Sequence, residues 1–207
     1  MRYHDVRVPL DHMLGDRGQA FVVAQTRLGG GRIHHCMRAI AHTRRALDLM
    51  LERAVSRHTQ GERLGNKQMV QQMIADSWID LETFRLLVLR TAWRIDKYND
   101  YKRVRADISA VKAMMPRVLH DVSARALQVH GSLGLSTEMP FMWMVAESFH
   151  MGLADGPTEV HKATLARQLL ANVKPATGLF PSGHLPTRAA AAREQYADIL
   201  AELDIEV

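Results

Sequence analysis

The sequence predicts an all-α protein, an antiparallel bundle of long helices. Apolar residues recur at the helical spacing over three segments much longer than an average helix. Most glycine and proline punctuation falls between those segments. Only one short stretch, near the N-terminus, alternates in the manner of a strand.

The elements follow in order. Val6, Val8 and Leu10 alternate with polar residues, and Pro9 interrupts them. This is one strand at most, without a partner in the chain. It pairs with something outside the chain or lies unpaired. Phe21, Val22 and Leu28 suit a short leading helix. The first long helix is expected from about Gly31 to Arg57, with Ile33, Met37, Ile40, Leu47, Met50, Leu51 and Ala54 inward. Gly29, Gly30 and Gly31 mark its start, and Gly61 and Gly65 mark the loop after it. The second is expected from Gln68 to Lys97. Val70, Met73, Leu81, Phe84, Val88 and Ile95 form one face, while Leu86, Leu87, Leu89 and Trp93 populate others, so the helix should be enclosed on several sides. Asn99 and Asp100 stop it. The third, from about Arg103 to Val129, buries Val104, Ile108, Val111, Met115, Val118, Val122 and Val129. Pro116 lies inside it, removes one backbone donor and should kink it.

A turn at Gly131-Ser132-Leu133-Gly134 leads to a helix over Pro140–Met151. A tight turn, Ala154-Asp155-Gly156-Pro157, opens a helix over Thr158–Leu170. Lys174 to Pro186, rich in proline and glycine, is a linker. An alanine-rich tail helix closes the chain over Thr187–Leu203. Three parts result: 1–28, a helical domain over 29–171, and a linker with tail helix over 172–207.

Composition narrows the function. The 207 residues are 47% hydrophobic and 24% charged, as in ordinary globular proteins. The single cysteine, Cys36, excludes a disulfide framework and any cysteine-based zinc module. The longest clearly apolar run, Met139–Ala146, is far shorter than the ~20 residues of a membrane span. The charged N-terminus carries no apolar secretion core, so a cytoplasmic protein is expected. Net charge is +5, but basic residues alternate with acids and no block of five like charges exists. That pattern argues for a solvated arginine-rich face and against nucleic acid.

Candidate chemistry is sparse. Glu147 and His150 have the Glu-x-x-His spacing of di-metal bundles, which need two such motifs and two further glutamates. Only one motif is present, so no metal is expected. His34, His35 and His42 suit a core or an interface, and Cys36 suits a small buried hydrophobe. The Gly131–Gly134 stretch follows a helix and not a strand, so it is no phosphate loop. Asp155 stands in a turn before free helix amides. It could be a general base or only a helix cap.

Gly31-Arg32-Ile33-His34-His35-Cys36-Met37-Arg38, Ala154-Asp155-Gly156-Pro157-Thr158-Glu159-Val160-His161 and Pro116 occur together, in order, at separations that resemble the C-terminal helical domain of the acyl-CoA dehydrogenase family. The likeness covers about Asp5 to Leu170, and is to the branch with aspartate where most members carry a catalytic glutamate. It implies oxidation of an acyl-CoA at Cα–Cβ with FAD as hydride acceptor, and Asp155 as the base. It places Gly29, Gly30, Gly31, Arg32 and Gly156 at the substrate. It places Arg57, Thr59, Lys67, Gln68, the backbone of Gln128, Val129, His130, Gly131 and Ser132, and Pro157, Thr158 and Glu159 at FAD, some of them at a neighbouring subunit's FAD. A homodimer or tetramer and an electron-transfer flavoprotein as acceptor are implied too. Ser132, Gln60 and Ala146-Glu147 depart from the family pattern, which commonly has glycine, an aromatic and an arginine–aspartate pair there. Val6–Pro9 resembles the last strand of the family's middle β-domain. The resemblance therefore implies a fragment, or one polypeptide of a split enzyme whose N-terminal and β-domains come from another. The alternative is a non-catalytic helical assembly module.

Overall fold

The structure, a computed structural model, describes residues 1–203. Two compact units divide the chain after Leu169. The first holds a two-residue-per-strand hairpin and six helices: α1 (Ala20–Ser56), β1 (His58–Thr59), β2 (Glu62–Arg63), α2 (Gln68–Tyr98), α3 (Arg105–His130), α4 (Ser132–Leu135), α5 (Phe141–Leu153) and α6 (Thr158–Leu170), whose last residue falls past the division. Among the described residues, no helix is long and apolar enough to cross a membrane. The all-α expectation holds.

α3 is the central element and packs against α1, α2 and α5. Its inward residues Val111, Met115, Val118, Leu119 and Val122 are fully buried, as are Met50 of α1, Leu81 and Phe84 of α2, and Phe141 and Met151 of α5. α3 continues through Pro116, and Gly152 of α5 passes close to the proline ring. Asn99, in the left-handed region at φ 43°, ends α2, and Gly131 at φ 65° ends α3. Gly134 of α4 must be glycine, because a Cβ there would collide with the Leu127 carbonyl. Ion pairs from Asp80 to Arg125 (2.8 Å) and Arg117 (3.4 Å) tie α2 to α3 at the surface.

Several expectations change. α1 starts at Ala20, nine residues before the glycine run, and carries Gly29–Gly31 inside it. The glycines are there for close approach and not for punctuation: a Cβ on Gly29 would stand 3.0 Å from the Tyr101 ring. That approach offsets a helix-propensity penalty of roughly 1 kcal/mol per glycine. The loop after α1 holds an unanticipated hairpin. Its register pairs Thr59 with Glu62, and Gln60 and Gly61 turn it with positive φ at both positions, as a two-residue hairpin requires. α2 is not enclosed. Leu86, Leu89 and Trp93 are exposed, together with Trp78 and Ile79, because α1 and α3 pack against the opposite side of this helix. Val6–Pro9 pairs with no strand and is solvent-exposed, and the only element before α1 is a 3-10 turn at Leu10–His12.

The second unit holds α7 (Leu185–Gln195) and α8 (Ala197–Glu202). The single tail helix expected from the sequence is thus two, broken where Tyr196 leaves helical geometry at φ −112° and ψ 19°. Pro186 sits in the first turn of α7, where its missing N–H costs nothing.

Candidate active site

The turn between α5 and α6 is built by side chains from three helices. Asp155 has φ 57° and Gly156 φ 108°, so the chain doubles back through the left-handed region. Such a turn points its carbonyls away from any helix ladder, and they need donors. Arg32 of α1 donates from Nε to the Asp155 carbonyl at 3.1 Å. Lys112 of α3 donates from Nζ to the Met151 carbonyl at 2.7 Å and approaches the Gly156 carbonyl at 3.5 Å. His161 of α6 lies 3.4 Å from the Asp155 carbonyl, which only accepts, so its proton is on Nε2. Thr158 donates from Oγ1 to the Gly152 carbonyl at 3.2 Å. The turn is held by its backbone, and this leaves the Asp155 side chain free of that duty.

The carboxylate lies against α1. Oδ2 is buried, accepts no hydrogen bond and stands 3.6 Å from Nε2 of His35. That oxygen does not cap α6. It also hangs over Gly31, where a Cβ would come within 3.1 Å of it and within 2.8 Å of the Arg27 guanidinium. Burial pulls Arg32 below its ordinary value, opposed by Asp155. Burial likewise lowers Lys112, opposed by Cys36 and Asp155. His35 and His161 are lowered too, each chiefly by burial and against the pull of Asp155.

The predicted substrate positions divide. Gly31, Arg32 and Gly156 gather at Asp155, whereas Gly29 and Gly30 lie under Tyr101. Gly156 is packed closely: a Cβ there would stand 3.0 Å from His161 Nε2. Cys36 is fully buried and its thiol is pushed up to about 12 by burial, as a structural hydrophobe should be. His34, His35 and His42 are not core residues; the buried histidines are His130 and His161. Glu147 pairs with Arg38 at 3.7 Å and with His150 at 3.1 Å.

The predicted FAD positions fall into two places. Pro157, Thr158 and Glu159 adjoin the Asp155 turn, and the last two line a cleft of about 400 Å³ with Pro116, His120 and Phe149. Arg57, Thr59, Lys67 and Gln68 surround the hairpin at the far end of α1. Gln128–Ser132 lies at that same end, where Arg53 and Glu52 of α1 influence His130. The His130 ring is buried against Phe141 and bonds the Ala126 carbonyl, so the side chain is not free for a ligand. Arg57 is exposed, Thr59 carries a hydroxyl, and open space lies where a Gly131 Cβ would point. These donors and this bare backbone fit a diphosphate. Lys67 is less free, being paired with Glu62 at 2.5 Å and near Gln60 at 3.3 Å.

Lys112, His35 and His161 were not identified as site residues from the sequence. Lys112 was the detectable one: it is a lysine on the inward face, four residues after Ile108 and three before Met115.

Comparison with known proteins shows the family. The family profile described as "Acyl-CoA dehydrogenase, C-terminal domain" matches residues 18–170. "Probable acyl-CoA dehydrogenase FadE2" of Mycobacterium tuberculosis is 44% identical over 172 residues, which are 83% of this chain and 42% of that protein. "Acyl-CoA dehydrogenase family member 11" of Gallus gallus is 40% identical over 167 residues, or 81% of this chain and 21% of that one. The solved structure of butyryl-CoA dehydrogenase from Megasphaera elsdenii superposes with a TM-score of 0.75 at 27% identity, covering 81% of this chain and 43% of that one. The chain therefore spans less than half the length of each of these relatives.

Proposed function

The chain belongs to the acyl-CoA dehydrogenase family, and from that premise we propose that it forms the C-terminal helical part of a FAD-dependent enzyme that oxidises an acyl-CoA at Cα–Cβ, with Asp155 as the base. One observation carries the reading. The Asp155 carboxylate sits in a turn whose backbone is clamped by Arg32, Lys112 and His161, while its own Oδ2 accepts no hydrogen bond. A carboxylate spent on capping would already have its lone pairs occupied. One held in place but unspent is what proton abstraction requires.

The residues divide the work. Asp155 takes the α-proton. Arg32 and Lys112 hold the turn so that the carboxylate does not drift when the substrate enters. Gly31 and Gly156 keep space open beside it, because a methyl at either position would meet Asp155 or His161. Bound FAD supplies the hydride acceptor. Arg57, Thr59 and the Gln128–Ser132 backbone would hold the phosphates and adenine half of one FAD, and Pro157–Glu159 would adjoin the reactive ring of another.

Arg32 and Arg57 are separated along α1 by roughly 37 Å at 1.5 Å per residue. That exceeds the reach of one dinucleotide, so the two groups serve two flavins. This supports a homodimer or tetramer in which the hairpin end meets a neighbour's cofactor. The remaining pocket walls come from domains of the kind that the longer relatives carry, on the same or another polypeptide, and an electron-transfer flavoprotein is the acceptor. The exposed stripe on α2, from Trp78 to Trp93, favours a second reading, an assembly module without chemistry.

The first experiment is a visible spectrum of the purified chain after incubation with FAD and removal of free cofactor. A retained flavin band is expected if this domain builds enough of the site. In the reconstituted enzyme, Asp155→Asn should abolish turnover while flavin retention stays unchanged. Full activity of that variant would remove Asp155 from the mechanism. Oligomers that take up no FAD even with the other domains supplied would establish the assembly reading.

A further inference from the structure

Gly31 and His35 are one helical turn apart on the same face of α1, and the Asp155 carboxylate lies across both. Oδ2 of Asp155 and Nδ1 of His35 are both buried and both without a hydrogen-bond partner. Orphaned polar atoms in a protein interior are costly and call for a reason. His35 Nε2 stands 3.6 Å from Oδ2, just beyond hydrogen-bond reach. A small rotation of the ring closes that gap and satisfies the oxygen.

We propose that His35 is the positioning residue of Asp155: a neutral imidazole, protonated on Nε2, directs its N–H at Oδ2, pins the carboxylate over Gly31 and leaves Oδ1 to take the proton. The inference rests on the reading of Asp155 as the base.

The tautomer follows from the surroundings. With the proton on Nε2, the orphaned Nδ1 is only a bare lone pair. The other tautomer would set two lone pairs face to face, and the imidazolium would strand a buried N–H. The charged and titratable groups facing His35 are Asp155 from the turn, Lys112 from α3, and Arg38 and His34 from α1. Burial is the main effect, and with Lys112, Arg38 and His34 it outweighs the pull of Asp155, so the ring stays neutral at pH 7. The device suits an aspartate. A side chain with one torsion fewer than glutamate needs only one donor to fix it.

The test is nitrogen-15 NMR of the histidines in the 207-residue chain, as wild type and as Asp155→Asn. His35 should show the Nε2–H tautomer. Its titration midpoint should fall by about one pH unit in Asp155→Asn, the low end of what removing a nearby opposite charge does. Arg38→Gln should move the midpoint the other way. If Asp155→Asn disturbs the turn, Asp155→Glu keeps the charge and should hold the midpoint near wild type. An Nδ1–H tautomer in the wild type, or a midpoint indifferent to the charge at position 155, overturns the proposal. Neither readout needs flavin or turnover, so failure of the dehydrogenase reading would show separately, as absent FAD binding or absent activity.

Discussion

Gly31→Ala pits two local effects against each other. Gly31 lies well inside α1 and has a helical backbone, so alanine should gain about 1 kcal/mol of helix propensity. Against this, the new methyl would stand 2.8 Å from Arg27 Nη1 and 3.1 Å from Asp155 Oδ2. The two neighbours differ in how they can yield. Arg27 is exposed, and its guanidinium ends a long side chain that swings aside at little cost. Asp155 is short, and its backbone is tied by Arg32 in a positive-φ turn. Its carboxylate must give by a few tenths of an ångström, at an overpacking cost of about 1–3 kcal/mol. The sum is a small net change, from neutral to about 2 kcal/mol destabilised. The larger effect is on the carboxylate, which is pushed off the His35 ring. Urea unfolding gives the first quantity from the midpoint at constant slope, and the His35 titration in the same sample gives the second. The full propensity gain together with an unchanged His35 titration would refute the reasoning, because the methyl would then meet nothing. So would a loss well beyond about 3 kcal/mol, which would mean that the helix backbone and not a side chain had to move.

Two further predictions concern the buried groups. Lys112→Met should destabilise the chain by roughly 1–3 kcal/mol, since it strands the Met151 carbonyl and weakens the hold on Gly156, partly offset by relief of a buried charge. Burial holds Lys112 below its ordinary value, so between that lowered value and about pH 10.4 the unfolded chain binds the extra proton. Wild-type stability should rise with pH across that window, and Lys112→Met should lose this slope. His35, His130 and His161 are also lowered by burial, so as pH falls through about 6.5 the unfolded chain protonates first. Stability should be lost from about pH 6.5 downward toward the lowered folded values, and His161→Gln should flatten that loss in melts taken across the range.

What was legible in the sequence was whatever depends on neighbours along the chain. The 3.6-residue period located α2, α3, α5 and α6 to within a few residues, because each helix must bury one stripe. Asn99 and Gly131 marked helix ends because only a left-handed residue closes those turns cheaply. The motif around Asp155 was recognisable as a turn, and the structure puts it in one. The same local logic misled at Gly29–Gly31. Three glycines in a row normally interrupt a helix, and here they serve the approach of Tyr101 and Asp155 from distant parts of the chain. It misled again on α2, where apolar residues on several faces suggested enclosure. How many faces are covered depends on how many helices pack there, which no single helix encodes.

By itself, then, the sequence determined the helices, their order and the identity of the residue that could act as a base. Tertiary structure alone decided that this carboxylate is not spent on the turn. Whether Asp155 caps α6 or keeps its carboxylate free depends on whether other donors serve the turn, and those donors are Arg32, Lys112 and His161 on three different helices. The placement of His35 beside Oδ2 is of the same kind, a contact across 120 residues set by how α1 packs against the turn. Periodicity and capping act within a turn or two of helix, whereas a site assembled from α1, α3, α5 and α6 comes together only when the core closes.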